Sequence, residues 1–313
     1  MTKEYFEHYL KIKGKDKLKK YVPLLLKFIR TFHPVFPMLP QKEDLAEVID
    51  KISTYDLDKL FDGTTFRNNS SIIGINYLKS NFNSYWNSSF KNHQTPIEAW
   101  YNDDMMKKVI EYRIGLNNSD EVFDLSLHQL VRGLSARRYT ISFFKPVLAA
   151  SIYNYYLGDN DTPTVIDPCA GFGGRLLGFK SKYPNGTYIG IEPNKDTYSE
   201  LVQLISDSNF TNVKLYNCKF EDFNDVPEKY DLVFTSIPYY DLETYSDNTE
   251  YNSFEDWKNT FITKFNEFNN VKINMTFELC ERLNLLNNIK YNIKSNSSHF
   301  SDGVDKNEVI IDL

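Results

Sequence analysis

The stretch from Thr164 to Gly178, TVIDPCAGFGGRLLG, constrains this chain more than any other. Thr-Val-Ile is a β-branched run that favours a strand. Asp167 and Pro168 stop it. Gly171, Gly173 and Gly174 follow within four residues, and Arg-Leu-Leu then opens a helical pattern. A strand, a glycine turn and a helix in that order form a cradle, because glycine permits close backbone approach and a helix N-terminus offers unpaired N–H groups. Any α/β protein can contain one such turn, so its meaning depends on the strands later in the chain. Glu192 closes the next strand-like run, TYIGIE, 18 residues after Gly174. A third run, YDLVFTSIPYYDLE at 230–243, leads into Ser236-Ile237-Pro238-Tyr239.

Strand-like runs fall near 164–167, 187–192, 213–218, 230–235, 271–277, 289–294 and 308–312, with helical runs near 174–182, 195–208, 253–268 and 280–286. That alternation predicts an α/β fold with a mostly parallel sheet and right-handed crossovers. NIKYNI and NEVIIDL have no helix between them, so they should pair antiparallel. In such a sheet, ligands bind beyond the carboxyl ends of the strands. The strands ending at Asp167 and Ser236 are expected side by side there.

Residues 1–135 read as a mostly helical N-terminal domain, and 136–313 as the α/β domain. KIKGKDKLKKYVPLLLKFIR at 11–30 is either a solvated basic face or a phosphate-contacting arm. GTTFRNNSS at 63–71 is loop-like. Tyr77, Phe82, Tyr85, Trp86 and Phe90 lie among Asn and Ser, as core or as a surface for stacking bases. Thr95-Pro96-Ile97-Glu98 carries the marks of a helix start running on to about Leu116. Leu45, Val48, Ile49 and Ile52 space a helix within 43–60, and Leu125 to Leu134 suggests another. The formal charge of −6 does not advertise a nucleic-acid binder, although such footprints are local. The absence of an apolar run near 18 residues argues against a membrane span, and MTKEYFEHYLKIKGK has no signal-peptide core. Cys169, Cys218 and Cys280 fit a reducing compartment, with no metal-ligand spacing. An intracellular, cytoplasmic setting is therefore expected. Abundant Asn, Lys, Tyr, Phe and Ile have AT-rich codons and suggest a compact, viral genome.

DPCAGFGG resembles motif I of the class I S-adenosylmethionine-dependent methyltransferases, and TSIPYYDLE resembles motif IV of those that methylate adenine N6 or cytosine N4 in DNA. The resemblance covers roughly residues 139–313. The sequence departs from it at Ile237, where the family usually has proline. The resemblance implies a seven-stranded Rossmann-like sheet of the class I type and transfer of a methyl group from S-adenosyl-L-methionine to an exocyclic amine of a DNA base. RNA or a protein amide is the alternative acceptor, and a derived binding protein without turnover is the alternative to an enzyme. DNA is the expected partner, with RNA second, while protein partners are left open.

The resemblance also implies residue roles. Lys145 and Pro146 start the helix that would line the methionine end of the cofactor, with Arg137 and Arg138 upstream. Asp167, Pro168, Cys169, Ala170, Gly171, Gly173 and Gly174 form the cofactor loop, with Gly173→Asp expected to block the methionine carboxylate. Glu192 would accept the ribose hydroxyls beside Pro193, and Glu221 or Asp222 would hold the adenine. Ser236, Ile237, Pro238 and Tyr239 form the catalytic set: Ser236 Oγ and the Ile237 carbonyl draw the amine hydrogens, and Tyr239 stacks on a flipped base. Ser236 also adjoins the cofactor. Ile237→Pro should keep or raise the rate.

Overall fold

The β-branched and aromatic runs form strands at β1 (Thr65–Asn68), β2 (Ser89–Phe90), β3 (Thr164–Asp167), β4 (Thr187–Ile191), β5 (Val213–Tyr216), β6 (Leu232–Ser236), β7 (Glu243–Thr244), β8 (Val271–Thr276), β9 (Ile289–Ser295) and β10 (Glu308–Asp312). The computed structural model describes residues 19–37, 43–68, 71–90, 93–116, 127–136, 141–238, 240, 243–244, 251–295 and 308–313. Two compact units result. One comprises Met1–Pro40, Ser84–Ile141 and Glu243–Tyr245; the other comprises Gln41–Asn83, Ser142–Leu242 and Ser246–Leu313.

The larger unit is built on an eight-stranded sheet in the order β1-β9-β10-β8-β6-β3-β4-β5. Strands β5, β4, β3, β6 and β8 run parallel, and β10 is antiparallel to both β8 and β9. The expected antiparallel pair is present. β10 also inserts between β8 and β9, which places a strand buried at Val309, Ile310 and Ile311 inside the sheet. The eighth strand corrects the expected seven: β1, read from sequence as part of a loop, pairs parallel with β9, Phe66 opposite Ile293. Its four residues are too few to show an alternation, but Phe66 is fully buried and stacks on Phe61 at 4.4 Å between ring centroids.

The domain boundary also differs from the expected one at 135/136. Helix α1 (Leu45–Ser53) is capped by Asp44, whose side chain accepts from the Glu47 N–H. It packs on α3 (Gly174–Lys182), which also packs along α2 (Pro146–Leu157). The Ser151 hydroxyl of α2 donates to the Leu57 carbonyl at 3.2 Å. Residues 41–83 thus belong to the α/β unit because their apolar faces cover its helices.

The sheet is covered on both faces. Tyr153 of α2 lies edge-on to Phe179 of α3 and to Phe234 of β6 on one. On the other, Val233, Ile237, Ile273 and Met275 pack with Trp257, Phe261 and Phe265. The segment at 253–268, expected as one helix, is a short α-helix (Phe254–Trp257), a π turn and a 3-10 turn. Helix α4 (Lys195–Ser208) is capped by Asn194, and α5 (Phe277–Arg282) by Thr276.

The described helices of the smaller unit include Val22–Phe32, Pro96–Tyr101, Asp103–Leu116 and Leu127–Ala136. The capping box at Thr95 and Glu98 is formed in both directions. The expected helix through Leu116 breaks at Asn102, whose side chain accepts from the N–H groups of Asp104 and Met105 and so starts a second helix. In the 43–60 stretch the helix ends at Ser53, followed by a 3-10 turn. Tyr77, Phe82, Tyr85 and Trp86 are core residues, each at most 2% exposed, and so offer no face to a base. Of the basic stretch, 11–18 lie outside the described residues, and Arg30 pairs with Asp103 at 2.9 Å.

Candidate cofactor and acceptor site

At the carboxyl end of β3 stands Asp167, fully buried. Its carboxylate accepts from Arg175 Nε at 2.8 Å, the Tyr188 hydroxyl at 2.5 Å, the Thr235 hydroxyl at 2.8 Å and the Cys169 N–H at 3.3 Å. Arg175 also donates to the Cys169 carbonyl, and its guanidinium lies 5.3 Å from the centre of the Phe144 ring. Burial alone would lower the Arg175 pKa, but the Asp167 carboxylate reverses this and leaves it raised. Burial and the same carboxylate raise the Tyr188 and Cys169 pKa values. Asp167, expected in the cofactor loop, is a buried hub that ties the loop to α3, β4 and β6.

The glycines divide the work of the turn. Gly174 needs its bare Cα because a Cβ would stand 2.0 Å from the Phe144 carbonyl oxygen. Gly173 has φ +76°, and a Cβ there would meet Leu204, Leu201 and Phe82 at 2.9–3.3 Å. A side chain at Gly173 would strike the packing of α4, so Gly173→Asp would disturb the turn itself, a cost the sequence expectation did not include. Gly171, at φ +54°, is different. Only the Cys169 carbonyl oxygen, 3.7 Å away, comes within 4 Å of where its Cβ would be.

Ala170 N–H donates to the Ile191 carbonyl and binds the loop to β4. Glu192 follows that strand. One of its oxygens accepts the Gly171 N–H and the other the Asn194 N–H, both at 2.9 Å. The side chain is buried, and burial pushes its pKa up to about 7 against those two hydrogen bonds, which lower it. Each oxygen keeps a lone pair for a further donor. The Asn217 side chain holds the Glu192 and Pro193 carbonyls. Glu221, in the short turn Phe220–Asp222 after β5, accepts from the Tyr251 hydroxyl. Lys145 occupies the N-cap position of α2, with Pro146 in its first turn, and burial lowers the Lys145 pKa.

β6 lies parallel beside β3, Ile166 opposite Val233, and Thr235 joins the two through Asp167. The partly exposed Ser236 ends β6. Ile237 is 2% exposed, within the hydrophobic cluster on the far face, and its N–H donates to the Asn274 carbonyl at 3.4 Å. Where the resembled family has proline, this chain uses the side chain as core and the N–H as a sheet bond. Both features add a stability cost that the rate expectation for Ile237→Pro did not include. Proline removes a donor and part of a packed side chain, so the variant should lose roughly 2–3 kcal/mol of unfolding free energy. Urea titration of the purified variant measures it, and an unchanged midpoint would contradict this placement. Pro238 is partly exposed. Tyr239, Arg137 and Arg138 lie outside the described residues.

The sequence reading missed Arg175, Tyr188 and Thr235. A lone Arg in the apolar run after the double glycine was the available signal for the first; the other two look like ordinary strand residues.

The strand order, with the antiparallel β10 inside it and a glycine turn after β3, is the Rossmann-like arrangement of the class I S-adenosylmethionine-dependent methyltransferases. No family model matches the chain. A tRNA (guanine-N(7)-)-methyltransferase of Bacillus velezensis is 29% identical over 178 residues, 57% of this chain and 77% of that protein. Among solved structures, PKMT2 of Rickettsia typhi in complex with AdoHcy is 22% identical at TM-score 0.30, covering 37% of this chain and 21% of that one. A dimethyladenosine transferase of Plasmodium falciparum is 17% identical at TM-score 0.34, covering 52% and 61%. The chain spans less than two thirds of the length of each of these two structures. The residues present fit the cofactor, since Gly171 leaves clearance where a Cβ would intrude and Glu192 keeps acceptor capacity beside it. Among the described residues, no helix is long and apolar enough to cross a membrane.

Proposed function

We propose that this protein transfers a methyl group from S-adenosylmethionine to an exocyclic amine of a DNA base, adenine N6 or cytosine N4. The observation that carries the reading is the position of Ser236, partly exposed at the end of the strand beside the glycine loop. The cofactor supplies an activated methyl on a sulfonium. The chain has to orient the acceptor and make its nitrogen nucleophilic. A ring-conjugated amine is a poor nucleophile because its lone pair is delocalised. Ser236 Oγ and the Ile237 carbonyl accept its two hydrogens and favour a pyramidal nitrogen. The hydrogen bond to Asn274 and the buried side chain hold Ile237 in place, a role that proline's fixed φ serves in the resembled family. In the cofactor site, Gly171 gives backbone clearance, Glu192 takes the ribose hydroxyls, and Glu221 and Tyr251 adjoin the adenine.

RNA is the second reading, favoured by the Bacillus tRNA methyltransferase. Labelled methyl transfer to duplex DNA, tRNA and cell protein extract tests both. Incorporation only into protein would reject them, and cofactor binding without any incorporation would favour a binding protein without turnover. A cytoplasmic setting accords with either nucleic acid.

Glu192 gives this reading a pH signature. Ribose hydroxyls donate to the ionised carboxylate, so binding favours the form populated above pH 7. Cofactor affinity should therefore be roughly tenfold weaker at pH 6 than at pH 8. Calorimetry on Glu192→Gln should find weaker binding and little change across that range. Without cofactor the sign reverses. A carboxyl whose pKa is raised by folding contributes stability below its ordinary 4.5 and loses it as pH climbs through about 7. A cofactor affinity independent of pH in the wild type would remove Glu192 from the ribose site.

A further inference from the structure

Beyond Ser236, the carboxyl edge of the sheet carries a second polar position. Asn274 of β8 pairs in register with Ser236 of β6 and with Ile310 of β10. Glu308 lies two residues before Ile310 and opposite Thr276. Side chains alternate along a strand, so Ser236, Asn274, Thr276 and Glu308 share one face. It is the face that carries Phe234 and is covered by α2, opposite the apolar cluster of Ile237, Ile273 and Met275. Asn274, 1% exposed, donates to the Val309 carbonyl at 3.3 Å and lies 3.5 Å from a Glu308 oxygen. The Thr276 hydroxyl is occupied as the cap of α5. Glu308 is partly exposed.

We propose that Glu308 is a specificity-determining residue that reads the ring edge of the acceptor base while Ser236 holds its amine. This rests on the proposed methylation of a nucleobase amine. The strands of Ser236 and Glu308 are two spacings apart and Glu308 lies two residues further out along the edge, a separation of roughly 12 Å that a glutamate side chain and one base edge fill together. Adenine and cytosine both present an amine donor next to a ring-nitrogen acceptor. A neutral carboxyl can donate its O–H to that ring nitrogen, leaving both amine hydrogens to Ser236 and the Ile237 carbonyl. Guanine presents two adjacent donors, which suit an ionised carboxylate. The surroundings shift the carboxyl towards the neutral form. Burial raises the Glu308 pKa, and the Asn274 amide only partly opposes this. The facing residue on β9 is Ile293. Helix α5, which also packs on β10, carries Glu278, Glu281 and Arg282 as its charged residues, all exposed.

The test pairs protein variants with base analogues. Wild type, Glu308→Ala and Glu308→Gln are assayed on an oligonucleotide containing adenine or cytosine and on its 1-deazaadenine or 3-deazacytosine counterpart, which keeps the amine and lacks the ring acceptor. Each is measured for turnover and, with S-adenosylhomocysteine present, for binding by fluorescence anisotropy. Cofactor affinity in each variant checks that the protein is folded. The wild type should discriminate against the deaza base by about tenfold, the worth of one hydrogen bond. Glu308→Ala should lose that discrimination with cofactor affinity unchanged. Glu308→Gln, whose amide offers the same donor and acceptor, should keep it and extend it to higher pH. Turnover with equal discrimination in wild type and Glu308→Ala overturns the role of Glu308 and leaves the function standing. Discrimination in binding without turnover supports Glu308 and overturns methyl transfer. Neither binding nor turnover on any oligonucleotide overturns both.

Discussion

Asp167→Ala should cost about 3–5 kcal/mol of unfolding free energy, because it strands the buried Arg175 cation without its partner. The guanidinium side chain is 6% exposed and cannot reach water without rearranging the loop. The same substitution frees the Tyr188 and Thr235 hydroxyls in the interior. Asp167→Asn keeps an acceptor oxygen and most of the volume, so it should lose less. Chemical denaturation of the three proteins measures the series, and a loss below about 1 kcal/mol for alanine, the scale of a single ordinary hydrogen bond, would show that Asp167 is not the hub of the site. The loss should extend to cofactor binding, since the Gly171 turn begins two residues after the Cys169 amide that Asp167 holds.

Ser236→Ala is expected to act on turnover alone. Its hydroxyl faces the acceptor in the proposed reaction, and removing one preorganised partner of a reacting group typically lowers kcat by about 10²-fold or more. Cofactor affinity and unfolding midpoint should hardly change, because Ser236 is partly exposed. Single-turnover methyl transfer with saturating cofactor separates these quantities. Clear wild-type turnover that is indifferent to this substitution would move the acceptor site elsewhere.

Much of the α/β unit was legible in the sequence because its signals are local. Thr164–Asp167, Thr187–Ile191 and Leu232–Ser236 are β-branched or apolar runs ended by turn residues, and each formed a strand close to the expected bounds. The glycine turn also announced itself. The task of each glycine was not legible, since it depends on partners distant in sequence: Phe144 for Gly174, and Phe82 and Leu204 for Gly173. β1 was missed for the same reason. Four residues carry no periodicity, and only the exposed edge of β9 makes them a strand. Asp167 was recognised as a residue of the cofactor loop but not as a hub, because nothing in a single chain reading shows that Arg175, Tyr188 and Thr235 converge on it.

The placement of β10 has a consequence for synthesis. It follows the other described strands in the sequence, yet it lies inside the sheet, flanked by β8 and β9. As a ribosome releases the chain from its N-terminus, β3 to β6 and β8 can pair in turn. β9 has no inner neighbour until β10 arrives, and β1, made long before, must wait for β9. Contacts between such distant segments form slowly because a long loop must close first. For that interval Phe66 and the edge of β8 are uncovered, and an unpaired strand edge recruits other chains. Slower translation should not relieve this exposure, because β10 follows the strands it joins at any speed; chaperones that hold the nascent chain until β10 has emerged should.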